Sequence, residues 1–211
     1  MSEFKLIDKL YISVSPAGAY YAVSEAADDP SRRLLRALLR QQSNPPLTLN
    51  GLKDWSEMQD AQDCLELLYH AQNLGWVEGL NEPGHAPTGA LEDIVPDLLP
   101  VLSNSGKALL ADSQGFYVCS RGFAHESAEE LSALSADIAS LHDRHRGLLN
   151  NNLGMGSSAW ALIDAAGNSQ VGFWPLFVGD QRFVLVVGGI PHFNQPALTK
   201  LVWALSTRYG T

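Results

Sequence analysis

Apolar residues recur along this chain in three distinguishable patterns, and each predicts a different element. Runs that alternate or stay continuously apolar over three to eight positions predict strands. Examples are Leu10–Val14, Ala108–Leu110, Tyr117–Cys119, Ala159–Ala165, Val171–Val178 and Arg182–Val187. Apolar residues spaced by three and four predict one-sided helices. Leu34, Leu35, Leu38 and Leu39 give one after Asp29-Pro30, a cap followed by a first-turn proline. Cys64, Leu67, Leu68 and Ala71 give another from about Asp60 to Leu74, stopped by Gly75. Leu131, Leu134, Ile138 and Leu141 give a third from Ser127 to His145, and Leu198, Leu201, Val202 and Leu205 a closing helix from Gln195 to Tyr209. The third pattern is ambiguous. Ile94, Val95, Leu98, Leu99 and Leu102 suggest a helix over Leu91–Ser103, but Pro96 and Pro100 oppose it, so it starts late or kinks.

The punctuation between these runs sets the organisation. Ser15-Pro16-Ala17-Gly18 lies between two aromatic and β-branched runs, which predicts an N-terminal hairpin ending at Val23. Pro45-Pro46 ends the first helix, Leu47–Leu49 is a candidate short strand, and Asn50 is positioned to cap a short helix through Trp55. Trp76–Glu78 returns as a strand. Asp112-Ser113-Gln114-Gly115 predicts a tight hairpin turn. Asn81–Gly89 holds two prolines and two glycines, which marks a linker. The expected division is therefore residues 1–82, a linker over 83–90, and residues 91–211. In the first part, the order helix, short strand, two helices, strand is that of a winged helix, a resemblance of architecture only.

The second part carries a more specific likeness. Gly106-Lys107-Ala108-Leu109-Leu110-Ala111-Asp112-Ser113-Gln114-Gly115-Phe116-Tyr117-Val118 resembles the strand–turn–strand of the roadblock/dynein-light-chain family. Ser127-Ala128-Glu129-Glu130-Leu131 resembles the start of its central helix, and the element order matches over about residues 91–209. The resemblance implies an α+β fold: a five-stranded antiparallel sheet with helices on both faces, profilin-like, here preceded by the small winged-helix-like unit. It implies a non-enzymatic homodimer that acts as an adaptor or regulator, with a small GTPase or another protein as partner; the cysteine usage and the N-terminus add the expectation that it is cytoplasmic. The family's mode of pairing edge strands and central helices maps onto Ser158–Ala165 and Ala128–Leu141. The implied dimer interface is Leu131, Ala133, Ala136, Ile138, Ala139, Trp160 and Leu162.

Composition narrows the function classes. The chain has 211 residues, 45% hydrophobic, enough for a sizeable core. Its formal charge is −9, and residues 1–90 hold seven basic and twelve acidic residues, which opposes binding to a phosphate backbone. The helix in the recognition position, with Asp60, Asp63 and Glu66, has no lysine or arginine. Arg32, Arg36 and Arg40 form one basic stripe on the other side of their helix from its leucines. Two cysteines, Cys64 and Cys119, both in apolar settings, predict buried reduced thiols. Met1-Ser2-Glu3-Phe4-Lys5 lacks a leader pattern, and no apolar run reaches the roughly 18 residues of a membrane helix.

Motifs for chemistry are incomplete. Gly106-Lys107 has Val101 where a phosphate loop needs glycine and Ala108 where it needs a hydroxyl. Gly154-Met155-Gly156 precedes a strand and lacks the third glycine of a dinucleotide loop. His142, Asp143 and His145 are too sparse for a metal site and suit a helix C-terminus instead. No cofactor, metal or catalytic residue is expected. Two other readings stay open: a transcription regulator using the winged helix, and a small-molecule sensor with Trp160, Phe173 and Trp174 lining a pocket.

Overall fold

The computed structural model describes residues 5–7 and 9–210. Met1–Phe4, which carry most of the leader reading, lie outside the described residues.

Strand β1 (Tyr11–Val14) pairs antiparallel with β2 (Val77–Leu80), from Tyr11↔Leu80 to Val14↔Val77. Between them lie four helices: α1 (Pro16–Val23), α2 (Pro30–Leu39), α3 (Leu49–Ser56) and α4 (Ala61–Asn73). The expected N-terminal hairpin is therefore wrong in its second half, since Ala19–Val23 is helical. The physical reason is the cap. The Ser15 hydroxyl accepts from the Gly18 N–H at 3.1 Å, and Pro16 supplies a first-turn residue whose missing N–H costs nothing there. Ser-Pro, read as a turn, is a helix start. Ser15 also anchors α1 to β2, donating from its hydroxyl to the Gly75 carbonyl at 2.6 Å and from its N–H to the Trp76 carbonyl at 2.9 Å.

Asp29 caps α2 as expected, and Asp60 caps α4, accepting from the N–H groups of Gln62 and Asp63. The cap of α3 is Thr48, accepting from the Gly51 N–H, so Asn50 lies inside the helix. The proposed strand over Leu47–Leu49 reduces to a single bridge between Tyr11 and Pro46. The segment expected as a linker is pinned: the Ala86 N–H donates to the Gln42 carbonyl, the Gly84 N–H to Asn44 Oδ1, and Ala86 is buried.

The C-terminal part begins with α5 (Leu91–Leu98) and a 3₁₀ turn (Pro100–Leu102). The helix starts at Leu91, the first residue of the expected span, and contains Pro96 near its end, whereas Pro100 opens the 3₁₀ turn that replaces its last part. Next come β3 (Ala108–Ala111), β4 (Tyr117–Arg121), α6 (His125–Arg146), a π-helical turn (Gly147–Asn152), β5 (Trp160–Ile163), β6 (Ser169–Val178), β7 (Gln181–Gly188) and α7 (Pro196–Tyr209). The strands form one antiparallel sheet in the order β4-β3-β7-β6-β5. Leu110, Leu176, Leu185 and Val187 project from one face into the cluster that holds α1, α5 and α7. Leu109, Ala111, Phe173, Val184 and Val186 project from the other face, where Ala128, Leu131 and Ile138 of α6 cover them. A five-stranded antiparallel sheet with helices on both faces is the architecture the roadblock resemblance implies. The larger apolar cluster is continuous from Ile12 and Leu34 to Leu201 and Leu205, so the N-terminal helices pack directly on α7 and the sheet. The two-stranded sheet and the five-stranded sheet thus border one shared core.

Candidate protein-interaction surface

Strand β5 is one edge of the sheet, and its four residues, Trp160-Ala161-Leu162-Ile163, include no charge and no proline. Edge strands in soluble proteins are usually guarded by such residues, because their unpaired N–H and C=O groups template association. Here the one irregularity is a bulge between Leu162 and Ile163. The opposite edge is different: β4 ends in Arg121, and α5 packs against it. Leu162 is 65% exposed and Ile163 59%. Leu162 pairs with Val171, whose side chain packs into the cluster beneath α6, so Leu162 shares the α6 face of the sheet.

Helix α6 adds a second apolar row to that face. Its three-four pattern divides into two rows about 60° apart around the axis, on the 100° per residue of an α-helix. Leu131 and Ile138 point down into the sheet, whereas Leu134 and Leu141 remain 44% and 39% exposed. Leu148, seven residues on in the π-helical turn, is exposed too. The outward row was legible as apolar but not as outward.

The seven residues expected at an interface separate accordingly. Leu162 is outward. Leu131 and Ile138 belong to the cluster under α6, and Ala139 is buried. Ala133 and Ala136 border Gly115: a methyl group on that glycine would lie 3.2 Å from the Ala133 Cα and 3.4 Å from the Ala136 Cβ. The small residues of α6 thus admit the protein's own β3–β4 turn, in which Gly115 adopts φ +89°. Trp160 is half-buried, and its indole N–H donates to His142 Nδ1 at 3.2 Å. Missed by sequence reasoning were Leu134, Leu141 and Ile163 as surface groups; the seven-residue interval from Leu134 through Leu141 to Leu148 is the signal that finds the two leucines.

The other candidate groups are engaged within the fold. Arg32 is buried over the Tyr21 ring at 4.2 Å and paired with Asp29. Arg36 donates to the carbonyls of Ala22 and Glu25, and burial, then the neighbouring Arg32 charge, lowers its pKa. Arg33 is bound to Asp28 and Glu57. Most of the basic stripe therefore holds the loop between α1 and α2 and is not presented to a phosphate backbone. Cys119 is buried, and burial pushes its thiol up; Cys64 is buried 3.7 Å from the Ser56 hydroxyl. The aromatics offered for a sensor pocket do not converge: Phe173 is core beneath α6, and Trp174 stacks edge-on with Phe193 at 5.0 Å. Among the described residues no group of three His, Cys, Asp or Glu could hold a metal, and no helix is long and apolar enough to cross a membrane.

No protein-family model matches this chain, and no curated protein matches its sequence. Several solved structures resemble part of it. A roadblock/LC7 domain from Streptomyces avermitilis is 16% identical, covering 54% of this chain and 92% of its own, with a TM-score of 0.38. A structure of MglB with a tetrameric arrangement is 16% identical, covering 59% and 93%, with a TM-score of 0.39. The gliding protein MglB from Thermus thermophilus is 16% identical over 59% and 91%, with a TM-score of 0.34.

Proposed function

We propose that this protein is a homodimeric, non-enzymatic adaptor or regulator that works through protein–protein contacts, with a small GTPase as the first class of partner to test. The observation that carries the reading is the unguarded β5 edge, continued by the outward leucines of α6 on the same face of the sheet. Two copies related by a twofold axis would pair β5 with β5 antiparallel and extend one sheet through both protomers. Leu134, Leu141, Leu162 and Ile163 would then be buried twice over, because such an interface is isologous. The revised interface keeps Leu162 and the exposed part of Trp160 and replaces the inward or turn-bound residues of α6 by Leu134 and Leu141. We place the winged-helix-like unit at 1–82 as a second protein-binding element, since its outward α4 residues Asp63 and Glu66 are acidic and exposed.

Light scattering of the full chain tests the dimer, and retention of proteins from a native lysate with GDP or a GTP analogue tests the partner class. Twice the monomer mass at micromolar concentration, with a GTPase held in a nucleotide-dependent way, is the expected result. A monomer across that range rejects the dimer; a dimer that retains no GTPase rejects only the partner class.

A further inference from the structure

A cavity of about 150 Å³ lies where the loop after α1, the C-terminal end of α6 and the segment leading into β5 meet. Glu25 lies among its lining from the first of these, His142 and Arg146 from the second with Asn150 from the π-helical turn that follows, and Ser157 and Ser158 from the third. The Ser158 hydroxyl donates to the Ser24 carbonyl at 3.2 Å, so the β5 approach is tied to the loop that carries Glu25.

The hydrogen-bonding sense of His142 is set by the structure. Only 8% of the residue is exposed, and its Nδ1 accepts the Trp160 indole N–H, with the two rings at 88°. A neutral imidazole that accepts at Nδ1 carries its proton on Nε2. The ring therefore has one donor left, on the edge away from Trp160. Arg146 is the one cationic residue of the lining. Its partner Asp143, outside the lining, is shared with Arg182 at 3.3 Å, so that carboxylate only partly offsets the Arg146 charge. Glu25, by contrast, brings a carboxylate, 3.8 Å from Arg32. The cavity is polarised, with cationic and N–H donor groups from α6 and an acceptor from the α1–α2 loop.

We propose that this cavity binds a small carboxylate carrying a neighbouring hydroxyl or ammonium group. The carboxylate lies against Arg146 and the His142 Nε2–H, with the second group donating to Glu25. The volume suits a molecule of a few heavy atoms, well below the roughly 300 Å³ where drug-sized sites begin. Glu25 disfavours a dianion such as phosphate by like-charge repulsion. Because His142 holds Trp160, the first residue of β5, occupancy stiffens the approach to the edge strand. This site is independent of the dimer reading: ligand binding is read at His142 whatever the mass of the protein.

The test uses full-length protein labelled with ¹⁵N-histidine near neutral pH, where the His142 ring nitrogens are followed while glycolate, glycine, acetate, phosphate or chloride is added at constant ionic strength. Glycolate or glycine should give a saturable shift of the His142 signals, with affinity about tenfold or more above that for acetate or phosphate. Arg146→Met should weaken binding about tenfold at unchanged melting temperature. Glu25→Gln should remove the advantage over acetate. If Arg146→Met does not fold, Arg146→Gln, which removes the charge at this largely exposed side chain and keeps a polar end, takes its place. The proposal is overturned if no addition gives a saturable shift, if acetate or phosphate binds as well as glycolate and glycine, or if the cavity variants bind like the parent.

Discussion

Replacing Leu162 by arginine separates the stability of the fold from the stability of an assembly. The side chain stands on the β5 edge with 65% of its surface exposed, so the folded monomer gains little from it. Exposed substitutions of this kind stay within about 0.5 kcal/mol, and for a chain of this size that is a shift of no more than about 2 °C in Tm. The dimer is different. Burying a whole leucine contributes about 2 kcal/mol, so the two-thirds still exposed here leaves about 1.3 kcal/mol to be gained on pairing. A twofold interface counts that loss twice, about 2.6 kcal/mol. Two guanidiniums brought towards each other and partly desolvated add at least a further ~1–2 kcal/mol. The sum, about 4 kcal/mol, weakens dimerisation roughly a thousandfold. Sedimentation equilibrium of both proteins over a hundredfold range of concentration, alongside thermal unfolding, reads both quantities. Val101→Arg, at an exposed apolar residue in the 3₁₀ turn away from β5, is the control and should leave the mass unchanged. The reasoning is refuted if the Leu162→Arg protein dissociates at the same concentration as the parent, or if Val101→Arg weakens the dimer equally.

Other substitutions test the internal joints. Gly18→Ala would ordinarily favour a helix by about 1 kcal/mol, but here its methyl group overlaps the Trp76 carbonyl; a net loss of about 1–3 kcal/mol in urea unfolding is expected, and a gain would refute the close approach of α1 to β2. Trp203→Phe removes an indole N–H that donates to the Gln41 carbonyl at 2.7 Å and should cost about 2–4 kcal/mol while unfolding remains one transition; two separated transitions would contradict the shared core. For Asp29, burial raises the carboxyl, but the Arg32 N–H, the Tyr21 hydroxyl and the Arg32 charge outweigh it and hold the pKa below the usual value. Its contribution is therefore present above the ordinary carboxylate pKa of about 3.9 and lost as pH falls through the lower folded value. Asp29→Asn keeps a capping oxygen but not the charge, so the stability gap to the parent should be widest above about pH 4 and close in stronger acid; a gap constant with pH would refute the assignment.

What the sequence made legible, and what it did not, follows from the range of the forces involved. Asp29-Pro30 and Asp60 act on donors two or three residues away, and both helices start where those residues place them. The Asp112 carboxylate likewise accepts from the N–H groups of Gln114 and Phe116, within its own turn. Ala19–Val23 failed because a local preference for extended structure competed with an equally local cap, and the outcome was settled by contacts far along the chain. Ala19, Ala22 and Val23 are buried in the cluster that also holds α7, at the other end of the chain. Pairing of β1 with β2 across more than sixty residues has the same character, since no short-range signal in Leu10–Val14 names its partner. The candidate surface divides in the same way. That α6 is one-sided could be read from its spacing, but which leucines face the sheet depends on where the β3–β4 turn abuts it. Gly115 contacts the 132–136 stretch of α6, on the flank away from Leu134 and Leu141. A turn rich in polar residues thereby decides which hydrophobic row is left for another molecule. A methyl group at Gly115 would press against Ala133 and the Ser132 carbonyl, so the hairpin closes this flank of α6 and the opposite flank is the one left for another molecule.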